Sequence, residues 1–123
     1  MSVIGVGIDA VELDRFRAVL FRRPGIVERV FSPAEAAYAM RRRDPTERLA
    51  VRFAAKEAVL KAMGAGLWDV PLRCVEVERA GSGVPSVRLT GRAVAWAGER
   101  GITGFHLSLT HTSATAHAVA LAY

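Results

Sequence analysis

Two acids and an amine carry the most chemical potential in this chain. Asp9 lies near its start, and Glu57 and Lys61 stand four residues apart within Arg52-Phe-Ala-Ala-Lys-Glu-Ala-Val-Leu-Lys-Ala-Met-Gly64. Carboxylate oxygens are hard donors. A pair of them suits a cation such as Mg2+, which takes one or two carboxylates and completes its octahedron with water and substrate phosphate. A lysine beside them adds a compact, mobile positive charge for phosphate oxygens. The same segment holds both lysines of the chain, Lys56 and Lys61, while the other fifteen of its seventeen basic side chains are arginine. Lysines kept in so arginine-rich a chain mark places where a rigid guanidinium fork would not serve. Plainer explanations stand beside these. Glu57 and Lys61 would form a helical i,i+4 ion pair worth roughly 0.2–0.5 kcal/mol, and Asp9-Ala-Val-Glu12 fits a capping box at a strand-to-helix junction.

Other polar side chains fall on predicted strands and turns. In Phe105-His-Leu-Ser-Leu-Thr-His111, His106 and Ser108 share one face and would present donors together, or else form a solvated face. His111 opens a His-Thr-Ser turn, and His117, in an apolar strand, reads as a satisfied core or interface residue. The three histidines lack the close spacing and cysteine partners of a zinc site. Gly81-Ser-Gly-Val-Pro85 joins two strands instead of opening a helix, so it reads as a turn and not a phosphate loop. Arg15, Arg17, Arg22 and Arg23 interleave with Phe16, Val19, Leu20 and Phe21. That mixture is either amphipathic packing with a solvated basic edge or a docking face for an acidic partner. Arg41-Arg-Arg43 falls at a helix end, where cations are favoured in any case.

These residues need elements to hold them. Residues 2–9 read as an apolar strand ending at Asp9, followed by a helix with Leu13, Phe16 and Leu20 on one face. Ser32-Pro-Ala-Glu35 and Asp44-Pro-Thr-Glu47 each combine a capping side chain, a proline and a glutamate three residues on. The second predicts the longest helix, from Pro45 to about Met63, ended by Gly64 or Gly66. Cys74–Glu78 and Ser86–Leu89 form a predicted hairpin, with Cys74 as a buried small hydrophobe. Thr90 is placed to cap a short helix through Glu99, closed by Gly101, before a second strand pair over 105–111 and 115–121. Helices early and strands late predict an α+β fold.

At 123 residues and 51% hydrophobic, the chain fits one domain spanning 1–123. The N-terminal apolar stretch lacks a basic flank and meets Asp9 too early for a signal peptide. No apolar run approaches the roughly 18 residues of a membrane span. A cytoplasmic protein without membrane partners is expected. The net charge of +5 calls for an anionic partner without choosing among nucleic acid, acidic protein and phosphorylated small molecule. A nucleic-acid-binding domain fits less well, because no reader motif accompanies the arginines.

Three blocks occur in order: Gly5-Val-Gly-Ile-Asp9 with Glu12, Leu13 and Arg15; the Arg52–Gly64 segment; and His106-Leu-Ser-Leu-Thr-His-Thr112. Together they closely resemble the bacterial holo-[acyl-carrier-protein] synthases of the phosphopantetheinyl transferase superfamily, nearly from end to end. The resemblance implies that superfamily's fold, a small antiparallel sheet packed with a long helix and shorter helices. It implies Mg2+-dependent transfer of 4'-phosphopantetheine from coenzyme A to a serine of apo acyl carrier protein, releasing adenosine 3',5'-bisphosphate. By the same resemblance, Asp9 and Glu57 would hold Mg2+, Lys61 would contact the phosphates, and the serine proton would pass to Glu57 or a metal-bound water. Arg52, His106 and Thr112 would grip the nucleotide, with Ser108 and His111 in the same cleft, and Lys56, Gly64 and Gly83-Val-Pro85 would add contacts to coenzyme A. Arg15, Arg22 and Arg23 would dock the carrier protein's acidic helix. The family's homotrimer would place the sites between subunits.

Overall fold

Strand β5 (Thr115–Ala122) alternates alanine with larger residues, and that alternation organises the molecule. It lies at the centre of a three-stranded antiparallel sheet, between β1 (Gly5–Glu12) and β4 (Phe105–His111). The register sets Gly7 opposite Ala120 and Asp9 opposite Ala118, with Leu107 and Leu109 continuing the rows on β4. On the inner face β5 therefore offers only Ala116, Ala118, Ala120 and Ala122, all buried. So low a surface admits a helix at close range. The helix that takes the place is α4 (Thr46–Ala62), which brings its own small residues Ala54, Ala55, Ala58 and Ala62 into the core. On β1 the approach is closer still. A Cβ at Gly5 would collide with the Ala62 carbonyl and one at Gly7 with the Ala58 carbonyl, so only glycine fits either position.

Around this centre the chain adds α1 (Leu13–Arg22), α2 (Ile26–Val30), α3 (Pro33–Ala39), a 3-10 turn (Leu72–Cys74), the hairpin of β2 (Val75–Arg79) and β3 (Pro85–Leu89), and α5 (Arg92–Glu99). The computed structural model describes residues 2–79 and 83–123, so Gly81 and Ser82 of the expected turn lie outside the described residues. The architecture is α+β, as expected, with the long helix against the sheet.

Local signals worked where short-range chemistry decides. Ser32 and Glu35 form the capping box at α3, each side chain bonding to the other's backbone amide. Gly64, at φ 68°, ends α4, with its amide on Lys61 O and the Ala65 amide on Leu60 O. Asp44 accepts from both the amide and the hydroxyl of Thr46 at the start of α4.

Long-range pairing overrode other expectations. The first strand does not stop at Asp9 but runs to Glu12, because β5 is long enough to pair with it as far as Thr115. The box at Asp9 is therefore absent: α1 begins at Leu13 with no side-chain cap, and its first amide donates to Ala114 O in the β4–β5 turn. Thr90 does not cap α5 either, since the helix starts after Gly91 without a side-chain cap. Cys74 closes the 3-10 turn instead of opening β2 and is only half-buried. Helix α2 had no sequence signal, being one short turn held between α3 and the 3-10 segment.

Candidate active site

Because β1 continues past it, Asp9 sits in mid-strand with its side chain on the inner face, in the row after Gly5 and Gly7. The glycines that let α4 descend onto β1 thereby bring the helix's polar side chains down beside Asp9. Lys61 Nζ donates to Ile8 O at 2.9 Å and lies 3.4 Å from Asp9 Oδ1. Glu57, one helical turn earlier, lines a pocket of about 330 Å3 together with Asp9, Glu12, Arg15, Phe16 and Phe53. The plain i,i+4 ion pair between Glu57 and Lys61 is not formed; among the described residues Lys61's salt bridge is to Asp9.

The electrostatics of this pocket are unbalanced. Burial raises the Glu57 carboxyl above the ordinary range, Asp9's charge raises it further, and Lys61 offsets only part. Two carboxylates in one pocket, served by a single ammonium, form a set of hard oxygen donors whose repulsion a divalent cation would relieve. The donor set thus fits Mg2+. Glu12 lines the pocket too, but among the described residues no three acids or histidines are grouped to hold a metal ion, which leaves room for water and substrate oxygens in the coordination sphere.

Arg15 stands on the rim of the same pocket, and Arg22 and Arg23 line an adjoining hollow that shares Val19 and Ile26 with it. A basic and apolar track therefore leads along α1 into the acids.

The other expected site residues are placed elsewhere. Lys56, for which a contact with coenzyme A was expected, is fully buried, 2.6 Å from Glu35 and bonded to Leu72 O and Val75 O. Its ammonium fastens α4 to α3 and β2 and offers no face to a ligand, so that expectation is corrected. Burial pushes its pKa below the usual lysine value, while Glu35 pulls it back up. Arg52 is buried over the Tyr38 ring, 4.3 Å from its centroid, and lines a separate pocket of about 310 Å3 with Arg79, Glu76 and Glu78. Its Nε has no hydrogen-bond partner among the described residues. Burial lowers the Arg52 pKa, and the same loss of water makes an unpaired N–H there costly. His106 stacks on Tyr123 at 4.8 Å, with Ser108 exposed two residues on along the same sheet face. Thr112 closes the opposite end of β4, its hydroxyl accepting from the amides of Ala114 and Thr115. The strand between them places His106 and Thr112 roughly 20 Å apart, so a single chain does not bring them to the same phosphate. His111 lies 3.6 Å from Glu47 at the start of α4. Gly64 and Gly83 both have positive φ, and Pro85 begins β3.

Sequence reasoning missed Glu35, Tyr38 and Phe53. Glu35 looked complete as a capping residue, and nothing local signalled that its second oxygen accepts from Val77 N while Lys56 sits beside the first.

Residues 5–122 match the model of the 4'-phosphopantetheinyl transferase superfamily. A holo-[acyl-carrier-protein] synthase of Streptomyces avermitilis is 47% identical, with 99% of this chain and 98% of that protein covered. The crystal structure of holo-[acyl-carrier-protein] synthase from Neisseria meningitidis superposes with a TM-score of 0.91 at 29% identity, covering 99% of both chains. A holo-(acyl-carrier-protein) synthase from Bacillus anthracis, solved in complex with CoA (3',5'-ADP), gives 0.81 at 30% identity, covering 98% of this chain and 96% of that one. With two acids and a lysine converging where the fold and the sequence both match, the chain is an enzyme of the 4'-phosphopantetheinyl transferase superfamily and belongs to its holo-[acyl-carrier-protein] synthases.

Proposed function

We propose that this enzyme transfers 4'-phosphopantetheine from coenzyme A to a serine hydroxyl of apo acyl carrier protein in a Mg2+-dependent reaction, for fatty acid or polyketide synthesis. The observation that carries the reading is the meeting of Asp9 and Glu57 in one pocket that Arg15 also lines, with Lys61 held against Asp9. The seryl oxygen attacks the phosphorus that bears pantetheine, and its proton would pass to Glu57 or to a water held beside it. The bridging P–O bond breaks, and adenosine 3',5'-bisphosphate leaves with the electron pair. Bound by Asp9 and Glu57, Mg2+ would withdraw charge from the pyrophosphate and stabilise the leaving phosphate. Lys61, anchored through Ile8 O and Asp9, has its ammonium half-exposed beside Asp9 and offsets charge that develops on the phosphate oxygens. Arg15, Arg22 and Arg23 receive the carrier protein's acidic helix, and the apolar residues between them bury the contact.

The nucleotide end of coenzyme A falls to Arg52, His106, Ser108, His111 and Thr112, with Gly64 and the Gly83–Pro85 turn beside it. In one chain these groups are dispersed: Arg52 lines a different pocket from Asp9 and Glu57. A ligand held by both sets needs a second subunit. The outer sheet face supports that reading, because Val6 and Ile8 are 58% and 67% exposed beside Val119 and Leu121. A homotrimer with sites between subunits covers this face and completes the cleft. Within the chain, the two core clusters share Val11, Val30, Phe53 and Leu109, which supports a single domain over 1–123. Among the described residues no helix is long and apolar enough to cross a membrane. We place the protein in the cytoplasm, where coenzyme A and carrier protein meet.

The decisive experiment incubates the enzyme with coenzyme A, Mg2+ and an apo carrier protein and follows the carrier's intact mass. A gain of one phosphopantetheine, dependent on Mg2+, is expected. An unchanged mass with a folded enzyme and folded carrier refutes the proposal.

A further inference from the structure

A cavity of about 550 Å3, larger than the Asp9 pocket and sharing no residue with it, opens between α2, the 3-10 turn and the β2–β3 hairpin. Arg29, Arg73 and Arg88 reach it from three different elements, together with Ser32, Thr90 and one acid, Glu76. Three like charges brought together by the fold repel, and Glu76 neutralises only one of them. That carboxylate stays ionised, since the hydrogen bond from Ser32 leads the effects that lower its pKa. The cavity therefore holds a net charge of about +2 when its three arginines are counted against one acid.

The guanidiniums are also poorly engaged. Arg73 gives a single N–H to Glu28 O at 3.0 Å. The salt bridge of Arg88 is with Glu78 at 3.9 Å, between two well-exposed side chains. The Thr90 hydroxyl makes only a 3.5 Å contact with Cys74 O. No ion pair or hydrogen bond of the Arg29 side chain occurs among the described residues. Most of the donors around the cavity are thus free, and guanidinium forks match the paired oxygens of phosphoryl groups better than any other side chain does.

We propose that the Arg29–Arg73–Arg88 cavity binds a small phosphorylated anion carrying at least two negative charges, at a site separate from the one that holds Asp9 and Glu57. The concave shape favours a small ligand over a flat macromolecular surface. The site is independent of the transfer reaction proposed above and stands or falls by itself.

Inorganic pyrophosphate is the probe, titrated by calorimetry without Mg2+ into the full chain already saturated with coenzyme A. One further equivalent per chain is expected. Each lost charge-assisted contact should weaken binding about tenfold or more. Arg29→Ala should therefore cost about tenfold, and Arg29→Ala with Arg88→Ala about a hundredfold, while Asp9→Asn leaves the affinity unchanged. All three arginines are exposed, so their truncation spares the core. ADP in place of pyrophosphate separates the two sources of the phosphoryl group: equal affinity means that the phosphates alone are read, and tighter binding means that the nucleoside also occupies the cavity. Absence of binding in the coenzyme A-saturated enzyme overturns the proposal. So does pyrophosphate affinity that Arg29→Ala and Arg88→Ala leave unmoved, or that Asp9→Asn abolishes.

Discussion

Glu57 is a residue whose charge costs the fold something and which, under the proposed function, is kept for chemistry. Its carboxyl is driven toward the neutral form by burial and by Asp9, so the ionised state weakens the folded protein at neutral pH. Glu57→Gln preserves shape and removes that repulsion. The expected outcome is a fall in Mg2+-dependent turnover of about 10²-fold or more, with a melting temperature no lower than that of the parent. Turnover assays paired with thermal denaturation check both halves. Lys56 is the opposite case, a charge kept for structure. Lys56→Met leaves the Glu35 carboxylate buried without its ion partner, and breaking one side of such a pair costs about 3–5 kcal/mol. Adding Glu35→Gln, which removes the charge and keeps an oxygen for the backbone amides, should recover part of that loss, which urea unfolding of the two single variants and the double variant would show. The contrast explains what the sequence made legible here. Asp9, Glu57 and Lys61 could be singled out from chemical type and motif, and the fold brings Asp9 near both of the others. The assignment of Lys56 failed, because only tertiary packing distinguishes a lysine facing solvent from its neighbour in the same motif facing the core.

Elements were legible to the degree that local rules govern their ends. The Ser32 box, the Gly64 terminus and the bounds of β4 agree with expectation because each is decided by neighbours within a few residues. The overlong first strand and the missing Asp9 box do not, since the length of β1 is set by β5, more than a hundred residues away in the chain. That long-range pairing is also what holds Asp9 in place, so its failure should be felt at the site. In Gly7→Ala the new methyl group meets the Ala58 carbonyl, and α4 must lift away from β1. A destabilisation of about 1–3 kcal/mol is expected, together with reduced Mg2+-dependent turnover as the Lys61–Asp9 contact opens. Denaturant unfolding and activity assays on the same variant test the link. At the other end of α4, the start of the helix depends on pH. The Thr46 hydroxyl and amide hold the Asp44 carboxyl below its ordinary 3.8, with Arg17 assisting. A carboxyl lowered in the folded state contributes stability above its unfolded pKa, and that contribution disappears as pH falls through the lower folded value. Asp44→Ala should therefore cost on the order of 1 kcal/mol at neutral pH. The difference from the parent should shrink once pH drops below 3.8, as urea midpoints across an acid series would show.

At the scale of the whole molecule, the two faces of the small sheet have different tasks. On β5 and the start of β1 the inner face is reduced to alanine and glycine so that α4 can settle and carry Glu57 and Lys61 to Asp9. The outer face carries Val6, Ile8, Val119 and Leu121, with Thr110 and His117 in the neighbouring row and His117 hydrogen-bonded to Thr115 at 2.8 Å. An apolar side chain as exposed as Ile8, set among others on a flat sheet, marks a surface meant for another protein surface. If that surface joins subunits and completes the coenzyme A cleft, a charge planted there should separate the assembly without disturbing the inner face. Ile8→Glu is the sharpest test, because its side chain points away from α4 while the neighbouring Asp9 points toward it. Sedimentation should show a monomer that retains its helical circular dichroism, and coenzyme A-dependent turnover should fall by two orders of magnitude or more, about the loss expected when binding groups no longer meet. A monomeric Ile8→Glu variant that keeps full activity would mean that one chain holds the whole site, and His106 and Arg52 would then need other roles. A variant whose sedimentation matches that of an oligomeric parent would show that subunits meet on another face.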